Sequence, residues 1–542
     1  MFETIRDRLR GFQGGSLPFE ESINSIKDRI AQIFVNRQIG ADLLYMITYM
    51  TSLALANATR PEIFSSASER KEYLTSKYIA KVNMFVKKWN YSYSESLSNV
   101  AERTENEILR NMLMRYSNSI QSNVPDEEFL DHELQTSRSV YRSLYENGFE
   151  NLKKWGDAYV AMLLAGTVIA ITLMISIAIF SSEGFQGTLN ISYGIILAIC
   201  VFGIFLMLQS VPEDPKTHNL QDRGSNEQNT IHSIERILVP ITIILALILW
   251  FIGIPIGWVF MLVGFLIAPL GIIGFIDDHN ITLRDSDFVT FIRNYGAIMG
   301  GQATTSVHAL GAINRKAFTA LEPLINSVYS KMNLGLDEKQ VWERFIGESG
   351  SDLISMYLNI YLDTVRLGGP AEPIGKVISG SMYEQVLLRE KKDMLAKSFI
   401  MILVPMHIAM AGIFVVLYHI MVTLTGSVSK MMTHFQNLSA TAGGSSTVGG
   451  VSASNAALGG TMGMFSNFPQ EAMGAYVIII ITILTISNIT ISKIALGGDR
   501  YMYYFFAAIF CIITGLVFLI APVVVNMFFN PAALANVAGA GA

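Results

Sequence analysis

Seven long apolar runs stand out from the polar pattern of the chain. They cover residues 159–180, 191–209, 237–256, 257–276, 398–425, 475–491 and 501–525. A helix needs about 20 apolar residues to cross the hydrocarbon core of a membrane. The pattern therefore predicts seven transmembrane helices. The sixth is at the lower length limit, and the third and fourth form a tight hairpin around residues 252–257.

One further apolar stretch, residues 42–58, competes with this assignment. It contains five polar residues, and a span here would place residues 60–154 on the opposite side of the membrane from the other basic segments. We therefore interpret it as a buried helix of a soluble domain.

The distribution of basic residues predicts the orientation. With seven spans and the N-terminus inside, 38 of the 39 Lys and Arg residues lie on the cytoplasmic side, and Lys430 is the exception. Short loops rich in Lys and Arg stay in the cytoplasm. The chain is therefore predicted to be a multi-pass protein of the cell membrane, with a cytoplasmic N-terminus, no cleaved signal peptide and an external C-terminus. The Gly/Ser-rich loop 426–474 would be external, and Asn190 and Asn437 form glycosylation sequons whose use the sequence leaves open.

The two predicted cytoplasmic segments resemble each other at a constant offset of 245 residues. Identical pairs include Asp42 and Asp287, Tyr116 and Tyr361, and the prolines and glutamates at 125/370 and 127/372. Four apolar positions, at 108, 112, 116 and 120, recur in the second segment as one face of a helix. A duplication explains this register.

The same register predicts how the central helix of each copy begins and ends. Thr104 with Glu107, and Ser349 with Asp352, have the spacing of a capping box. Pro125 and Pro370 would end the helices they follow, and Glu127 and Glu372 complete the repeated positions. Each copy is predicted to be a helical bundle.

These patterns predict an all-α polytopic membrane protein with two duplicated cytoplasmic helical bundles. The predicted parts are 1–40, an N-terminal helical segment; 41–158, the first bundle; 159–276, four spans; 277–397, the second bundle; 398–425, one span; 426–474, the external loop; 475–525, two spans; and 526–542, a tail.

Composition agrees with a membrane protein and argues against other classes. The chain is 51% hydrophobic and only 15% charged, with a net charge of −5 and two cysteines, Cys200 and Cys511, inside apolar runs. Soluble proteins carry roughly a quarter charged residues. A simple soluble enzyme, a nucleic-acid-binding protein and a disulfide scaffold are therefore disfavoured.

Candidate chemistry is sparse. Residues 368–377 resemble a phosphate-binding loop, but Pro370 and Val377 stand where that motif needs Gly and Ser or Thr. The acids at 277, 278, 285 and 287 lack calcium-loop spacing, so we expect them to be solvated beside the membrane. His407 and His419 are interpreted as satisfied neutral histidines of the fifth span. No catalytic residue, metal site or cofactor is predicted.

The spans themselves contain no Asp, Glu, Lys or Arg. Ion-coupled transporters usually need such groups within the membrane. The favoured interpretation is a docking platform without an active site. A membrane transporter or channel is the alternative from another class, and a membrane enzyme is the weaker third.

The repeated arrangement resembles the F-type membrane proteins of type II secretion and type IV pilus machines. The stretch 332–342, the helix after it and residues 368–377 are similar to the core of that domain, as are 90–97 and 104–130 in the first copy. Seven spans with a four-span block between the copies is similar to the archaeal branch, most closely the archaellum assembly platforms. Archaeal adhesive-pilus platforms are the second candidate.

The resemblance implies partners and a mechanism. A hexameric cytoplasmic secretion ATPase would dock beneath the platform, which would pass its motion to archaellin or pilin-like subunits. The platform would be a homodimer in the bilayer, would not be an enzyme and would bind no nucleic acid. Candidate docking residues are Lys87, Lys88, Arg103, Arg110, Arg315, Lys316, Arg344, Arg389, Lys391 and Lys392.

Overall fold

The computed structural model describes residues 39–180, 185–211, 215–218, 224–302, 305–441 and 469–529. Within these ranges the chain forms α-helices, one short 3-10 helix and an isolated bridge, and no strand. Most of the predicted external loop and the predicted C-terminal tail lie outside the described residues.

The first repeat consists of five helices and the beginning of a sixth. They are α1 (Ile39–Leu55), α2 (Arg60–Glu69), α3 (Ser76–Trp89), α4 (Tyr93–Glu102), α5 (Glu107–Gln121) and α6 (Asp126–Phe180). Helix α1 covers most of the disputed stretch 42–58, and its residues lie in the core of the repeat domain. The interpretation of that stretch as a buried helix is confirmed.

The next membrane helices are α7 (Phe185–Ser210), α8 (Asn226–Ile252) and α9 (Ile256–Gln302). The second repeat continues from α9 with α10 (Ser306–Ala312), a 3-10 turn (Arg315–Ala317), α11 (Glu322–Asn333), α12 (Glu338–Ser349), α13 (Asp352–Arg366) and α14 (Ala371–Thr441). The last membrane helices are α15 (Gln470–Leu496) and α16 (Met502–Phe529).

The structure supports the duplication at an offset of 245. Helices α5 and α13 occupy equivalent residues, and α6 and α14 begin at equivalent positions. A long-range contact is also repeated. Asp42 accepts a hydrogen bond from the Thr75 N–H at 2.7 Å, and Asp287 accepts one from the equivalent Ala320 N–H at 2.8 Å. Burial raises the pKa of the Asp42 carboxyl, and these amide bonds only partly offset that rise.

The predicted capping boxes are wrong. The N-caps are Asn106 and Ser351, which accept hydrogen bonds from the third amide of α5 and α13 at 3.0 and 3.2 Å. An N-cap needs an extended backbone, and the chain becomes extended only at these equivalent residues. Thr104 and Ser349 instead donate their hydroxyls to carbonyls of the preceding helix. Glu107 and Asp352 are the first helical residues.

The repeated prolines begin helices and do not end them. Helices α5 and α13 end four residues earlier, and Asn123 and Gly368 make the turn with φ of 56° and 91°. The carbonyls of Pro125 and Pro370 then accept the first hydrogen bonds of α6 and α14. Proline is compatible with a helix start because its missing N–H is not needed there. The spacing repeated between the two copies thus places Glu127 and Glu372, both exposed, in the first turns of α6 and α14.

The two repeats share one hydrophobic core. Tyr45 of α1 packs edge-on against Tyr357 of α13, with ring centroids 5.2 Å apart. Arg138 of α6 donates to the Val377 carbonyl at 2.8 Å, and Arg142 forms a bidentate pair with Glu384 of α14. Because these contacts cross between the copies, the repeats form one body on one side of the spans.

Seven helices among the described residues are long and apolar enough to cross a membrane, as predicted. Three of them continue into the repeat domain without a break. Helices α6, α9 and α14 contain 55, 47 and 71 residues, which at about 1.5 Å per residue gives lengths of roughly 80, 70 and 105 Å. The repeat domain is therefore joined to the membrane through continuous helices.

Helices α9 and α16 pack closely through glycines seven residues apart. A Cβ at Gly264 would come within 3.1 Å of the Ala508 carbonyl, and one at Gly271 within 2.6 Å of the Phe505 Cα. Small residues allow membrane helices to approach until their backbones touch. This pair therefore fixes the position of α9 as it leaves the membrane.

Candidate functional site

Of the acids that follow the fourth span, Asp277 and Asp285 are buried and Asp278 and Asp287 are half-buried, which corrects the expectation that they are solvated. Asp277 and Asp285 are each only 3% exposed. Their partners come from the loop between α7 and α8 and from α13 and α14, which return to the same point. These contacts form a polar cluster at the membrane-proximal end of the second repeat, which we call the junction.

Lys216 lies at the centre of the junction. Its Nζ donates to Asp278 Oδ2 at 3.0 Å and to Asp393 Oδ2 at 3.2 Å. Asp278 is on α9 just after the fourth span, and Asp393 is on α14 just before the fifth. Burial lowers the pKa of the Lys216 ammonium, but the two carboxylates raise it by more, so its pKa lies above the usual value. The ammonium therefore stays charged and links both helices.

Arg389 forms the second buried ion pair. It donates to Asp285 Oδ2 at 3.1 Å and to the Pro215 carbonyl at 2.9 Å. The other oxygen of Asp285 accepts a hydrogen bond from Ser351, the N-cap of α13. A buried charge is tolerated only where such partners replace its water. One carboxylate thus joins α9, α13 and α14.

Backbone contacts fix the loop between α7 and α8 to the second repeat. The Asp352 N–H donates to the Lys216 carbonyl at 3.0 Å, and Thr217 forms an antiparallel bridge with Ser351. His218 Nε2 lies 3.1 Å from the Gly347 carbonyl. Residues 215–218 of this loop are therefore held by the repeat at both ends.

The beginning of α8 makes the next contacts. Asp277 accepts hydrogen bonds from Ser225 Oγ at 2.9 Å and Gln228 Nε2 at 3.1 Å. Arg284 lies 3.7 Å from Glu227 and donates to the Ser349 carbonyl at 3.0 Å. Ser225 also caps α8. The first residues of α8, the helix that forms the third span, are therefore bonded to α9.

The turn between α15 and α16 closes the junction. Gly497 and Gly498 have φ of 80° and 72°, and a Cβ at Gly498 would come within 2.9 Å of Asp278 Oδ1. Arg500 pairs with Glu235 of α8 at 3.2 Å. Spans three to seven thus all meet the repeat domain or one another at this level.

The junction has the properties of a mechanical connection. Lys216 and Arg389 are each bonded to a carboxylate, and Asp277 is held by neutral donors. The described residues contain no group of three or more His, Cys, Asp or Glu placed to hold a metal ion. Separating a buried pair leaves an uncompensated charge, which costs about 3–5 kcal/mol. The junction therefore resists relative motion of the helices that it joins.

The predicted docking residues divide by exposure. Lys87, Lys88, Arg103, Lys316 and Arg344 are exposed, and Arg110, Arg315 and Lys391 are half-buried. Arg389 and Lys392 are buried, so they are dropped as docking candidates. Their helix packs against the returning loop and the α15–α16 turn, where Lys392 Nζ lies 2.8 Å from the position of a Cβ on Gly497.

A cleft of about 870 Å³ lies where the two repeats meet. Glu127, Glu128 and Asp131 of α6 form its acidic side, and Arg293 and Lys376 belong to the second repeat. Of the predicted repeat positions, Pro125 and Glu127 line it. The predicted docking cations do not line this cleft.

The histidine predicted to be satisfied in the fifth span has partners on two other helices. His407 Nε2 lies 2.9 Å from Thr514 Oγ1, and its Nδ1 lies 3.0 Å from Asn488 Nδ2. Asn488 also accepts from Tyr159 of α6 at 2.8 Å. All four side chains are fully buried. Polar groups therefore do converge within the spans, but they are bonded to one another. His419 contacts the Val415 carbonyl of its own helix.

Comparison with known proteins gives two relatives. Over 375 residues, 67% of this chain, it is 22% identical to Flagella accessory protein J of Methanocaldococcus jannaschii. Over 371 residues it is 21% identical to Flagella accessory protein J of Methanococcus voltae. Each match covers 66% of the relative's own length. No family model and no solved structure matches the chain.

Proposed function

We propose that this chain, whose resemblance to the archaellum branch is confirmed by its similarity to Flagella accessory protein J, is the membrane platform of an archaellum or type IV pilus-like machine. A hexameric cytoplasmic secretion ATPase docks on the repeat domain. Its motion passes into the spans, where archaellin or pilin-like subunits are added to the filament, and in an archaellum the same motion turns it. The platform itself catalyses no reaction, and its repeats face the cytoplasm.

The continuity of α6, α9 and α14 supports this proposal most strongly. A displacement of the repeat domain moves the membrane parts of these helices directly, because a helix interior is stiff along its hydrogen-bonded axis. The junction adds the loop between α7 and α8 and the α15–α16 turn to the same unit. A platform that relays motion needs this connection.

The test is a flexible point in α6 just before its span. Lys153, Lys154 and Trp155 are exposed and precede Gly156. Replacing all three with glycine creates four consecutive glycines, and replacing them with alanine is the matched control. Each glycine costs about 1 kcal/mol of helix stability relative to alanine, while both variants lose the same side chains.

The variants are produced in a strain that lacks its own copy of the gene. We expect both to co-purify with the ATPase, and only the alanine variant to restore filaments. Normal filament assembly by the glycine variant would contradict relay through continuous helices. Absence of ATPase from the unaltered protein at low salt would contradict the platform assignment itself.

A further inference from the structure

The turn after the third helix of each repeat exposes two large apolar side chains. In the first repeat these are Trp89 and Tyr91, which are 60% and 42% exposed. In the second they are Leu334 and Leu336, 81% and 55% exposed, at the equivalent positions 245 residues later. We call these pairs the first tip and the second tip.

The geometry of helix termination explains only one residue of each tip. Asn90 and Gly335, between the exposed residues, have φ of 58° and 78° and reverse the chain. After such a left-handed residue, an apolar side chain commonly packs back on the helix, as Tyr91 does on Phe85 at 6.0 Å. Trp89, the residue before Asn90, also packs edge-on against Phe85, with ring centroids 4.9 Å apart. Trp89 and Leu334 nevertheless present large apolar surfaces to solvent, which marks an interaction site.

The first tip lies far from the membrane. Tyr93, just after it, packs on Phe64 at 4.9 Å, and Phe64 packs on Tyr116 at 5.5 Å. Tyr116 in turn donates to Asp126, the first residue of α6. Asp126 precedes the span that begins at 159 by 33 residues of continuous helix, or roughly 50 Å. Lipid headgroups at the start of the span therefore cannot cover this tip.

The second tip lies at a comparable distance. Glu338, two residues after Leu336, accepts a hydrogen bond from Ser306 at 2.6 Å. Ser306 follows the end of α9 at Gln302, which is 26 residues, or roughly 40 Å of helix, beyond the span. Both tips are therefore accessible to a soluble partner and not to the bilayer.

The exposed surroundings of the first tip are basic, because Lys87 and Lys88 directly precede it. Those of the second tip are mixed, because Asp337 and Glu338 directly follow it and Lys339 comes after them. An acidic rim on a partner would complement the cations of the first tip and orient the encounter. The apolar pairs would then supply the buried contact at the centre, where most binding energy resides.

We propose that the two tips engage neighbouring subunits of one homo-oligomeric soluble partner. One structural element presented twice fits one apolar pocket that is also present more than once. This inference rests on the proposed function, in which the partner is the secretion ATPase. Two linked contacts bind much more tightly than either alone, so loss of one tip weakens binding and loss of both abolishes it.

The test measures binding of the purified ATPase to the full chain in lipid nanodiscs by biolayer interferometry. The variants are W89S/Y91S, L334S/L336S and their combination. Leu367→Ser is the matched control, because Leu367 is 59% exposed but its repeat counterpart is Ser122. We expect each tip variant to weaken binding at least about tenfold, the combination to abolish it, and the control to bind as the unaltered chain does.

The outcomes separate this inference from the function on which it rests. If the unaltered chain does not bind the ATPase, the proposed function fails, and the inference fails with it. If the unaltered chain binds and the combined variant binds equally well, only the inference is wrong. If only one of the two single-tip variants weakens binding, the two-subunit contact is overturned. If the tip variants lose self-association but keep full affinity for the ATPase, the tips bind a second copy of the chain and the proposal is wrong.

Discussion

Replacing Lys216 with methionine tests the junction most sharply. Methionine keeps much of the apolar stem but removes the ammonium, which leaves Asp278 and Asp393 close together without a cation. The Lys216 side chain is 6% exposed, and the two carboxylates are 14% and 13% exposed. Breaking a buried pair costs about 3–5 kcal/mol. Because the carboxylates retain some contact with water, we expect about 3 kcal/mol.

Amide hydrogen exchange reports this loss locally. The Asp352 N–H is bonded to the Lys216 carbonyl, so release of residues 215–218 exposes that amide to solvent. If exchange occurs through local opening, 3 kcal/mol corresponds to a roughly hundredfold faster rate, since each 1.4 kcal/mol is about a factor of ten. Peptides that cover 349–356 should show the change in mass spectrometry of the protein in detergent.

A control and a rescue make the result interpretable. Lys391→Met removes a half-buried cation two residues before Asp393 on α14 and should leave exchange at Asp352 nearly unchanged. Adding Asp278→Asn and Asp393→Asn to Lys216→Met removes the uncompensated charges and should restore most of the protection. Exchange in Lys216→Met at the rate of the unaltered protein, or no recovery in the triple variant, would refute the role of this ion pair.

Three further predictions concern other contacts. Gly271→Ala should lower stability by about 1–3 kcal/mol, because its Cβ meets the backbone of α16, whereas Gly194→Ala should be neutral because its surroundings are open. His407→Ala should cost about 1–3 kcal/mol, since it removes partners on α15 and α16 and leaves a cavity. His419→Ala should cost less. Asp42→Ala should cost about 2–4 kcal/mol by leaving one buried and one partly buried amide without an acceptor.

All three are measured by thermal unfolding in one detergent, each against the unaltered chain. Equal melting temperatures for the Gly271 and Gly194 variants would contradict close packing of α9 on α16. A larger loss at His419 than at His407 would contradict the intramembrane polar chain. A neutral Asp42→Ala would show that the repeated carboxylate contact does not stabilise the first repeat.

The spans and the repeat register could be predicted because their signals are strong and local. An apolar run of 20 residues has few alternatives to a membrane helix, and a constant offset needs no three-dimensional information. The capping boxes failed because spacing alone does not show where the backbone becomes extended. Asn106 and Ser351 are different residue types at equivalent positions, so a comparison of identities passes over them.

The junction could not be predicted because its partners are far apart in sequence. Lys216 meets Asp278 and Asp393 after 62 and 177 residues, and no pattern within one segment announces that pairing. The sequence therefore predicts Arg389 as a docking residue, although its side chain is buried. The packing of α9 did leave a signal, since Gly257, Gly264 and Gly271 are seven residues apart and lie on one helix face.

The central claim is that the chain relays motion without a reactive centre. Distances between spin labels, measured by pulsed electron paramagnetic resonance, test it directly. Spin labels at Leu144→Cys and Leu164→Cys, both exposed on α6, are 20 residues or roughly 30 Å apart. A second pair joins Leu164→Cys to Met401→Cys on α14, with Cys200 and Cys511 replaced by alanine in both. With the ATPase bound, both distances should stay narrow and constant between nucleotide states, because α6 and α14 carry one body into the membrane. A broadened distance within α6, or a distance between α6 and α14 that changes with nucleotide state in complexes that still assemble filaments, would contradict the account.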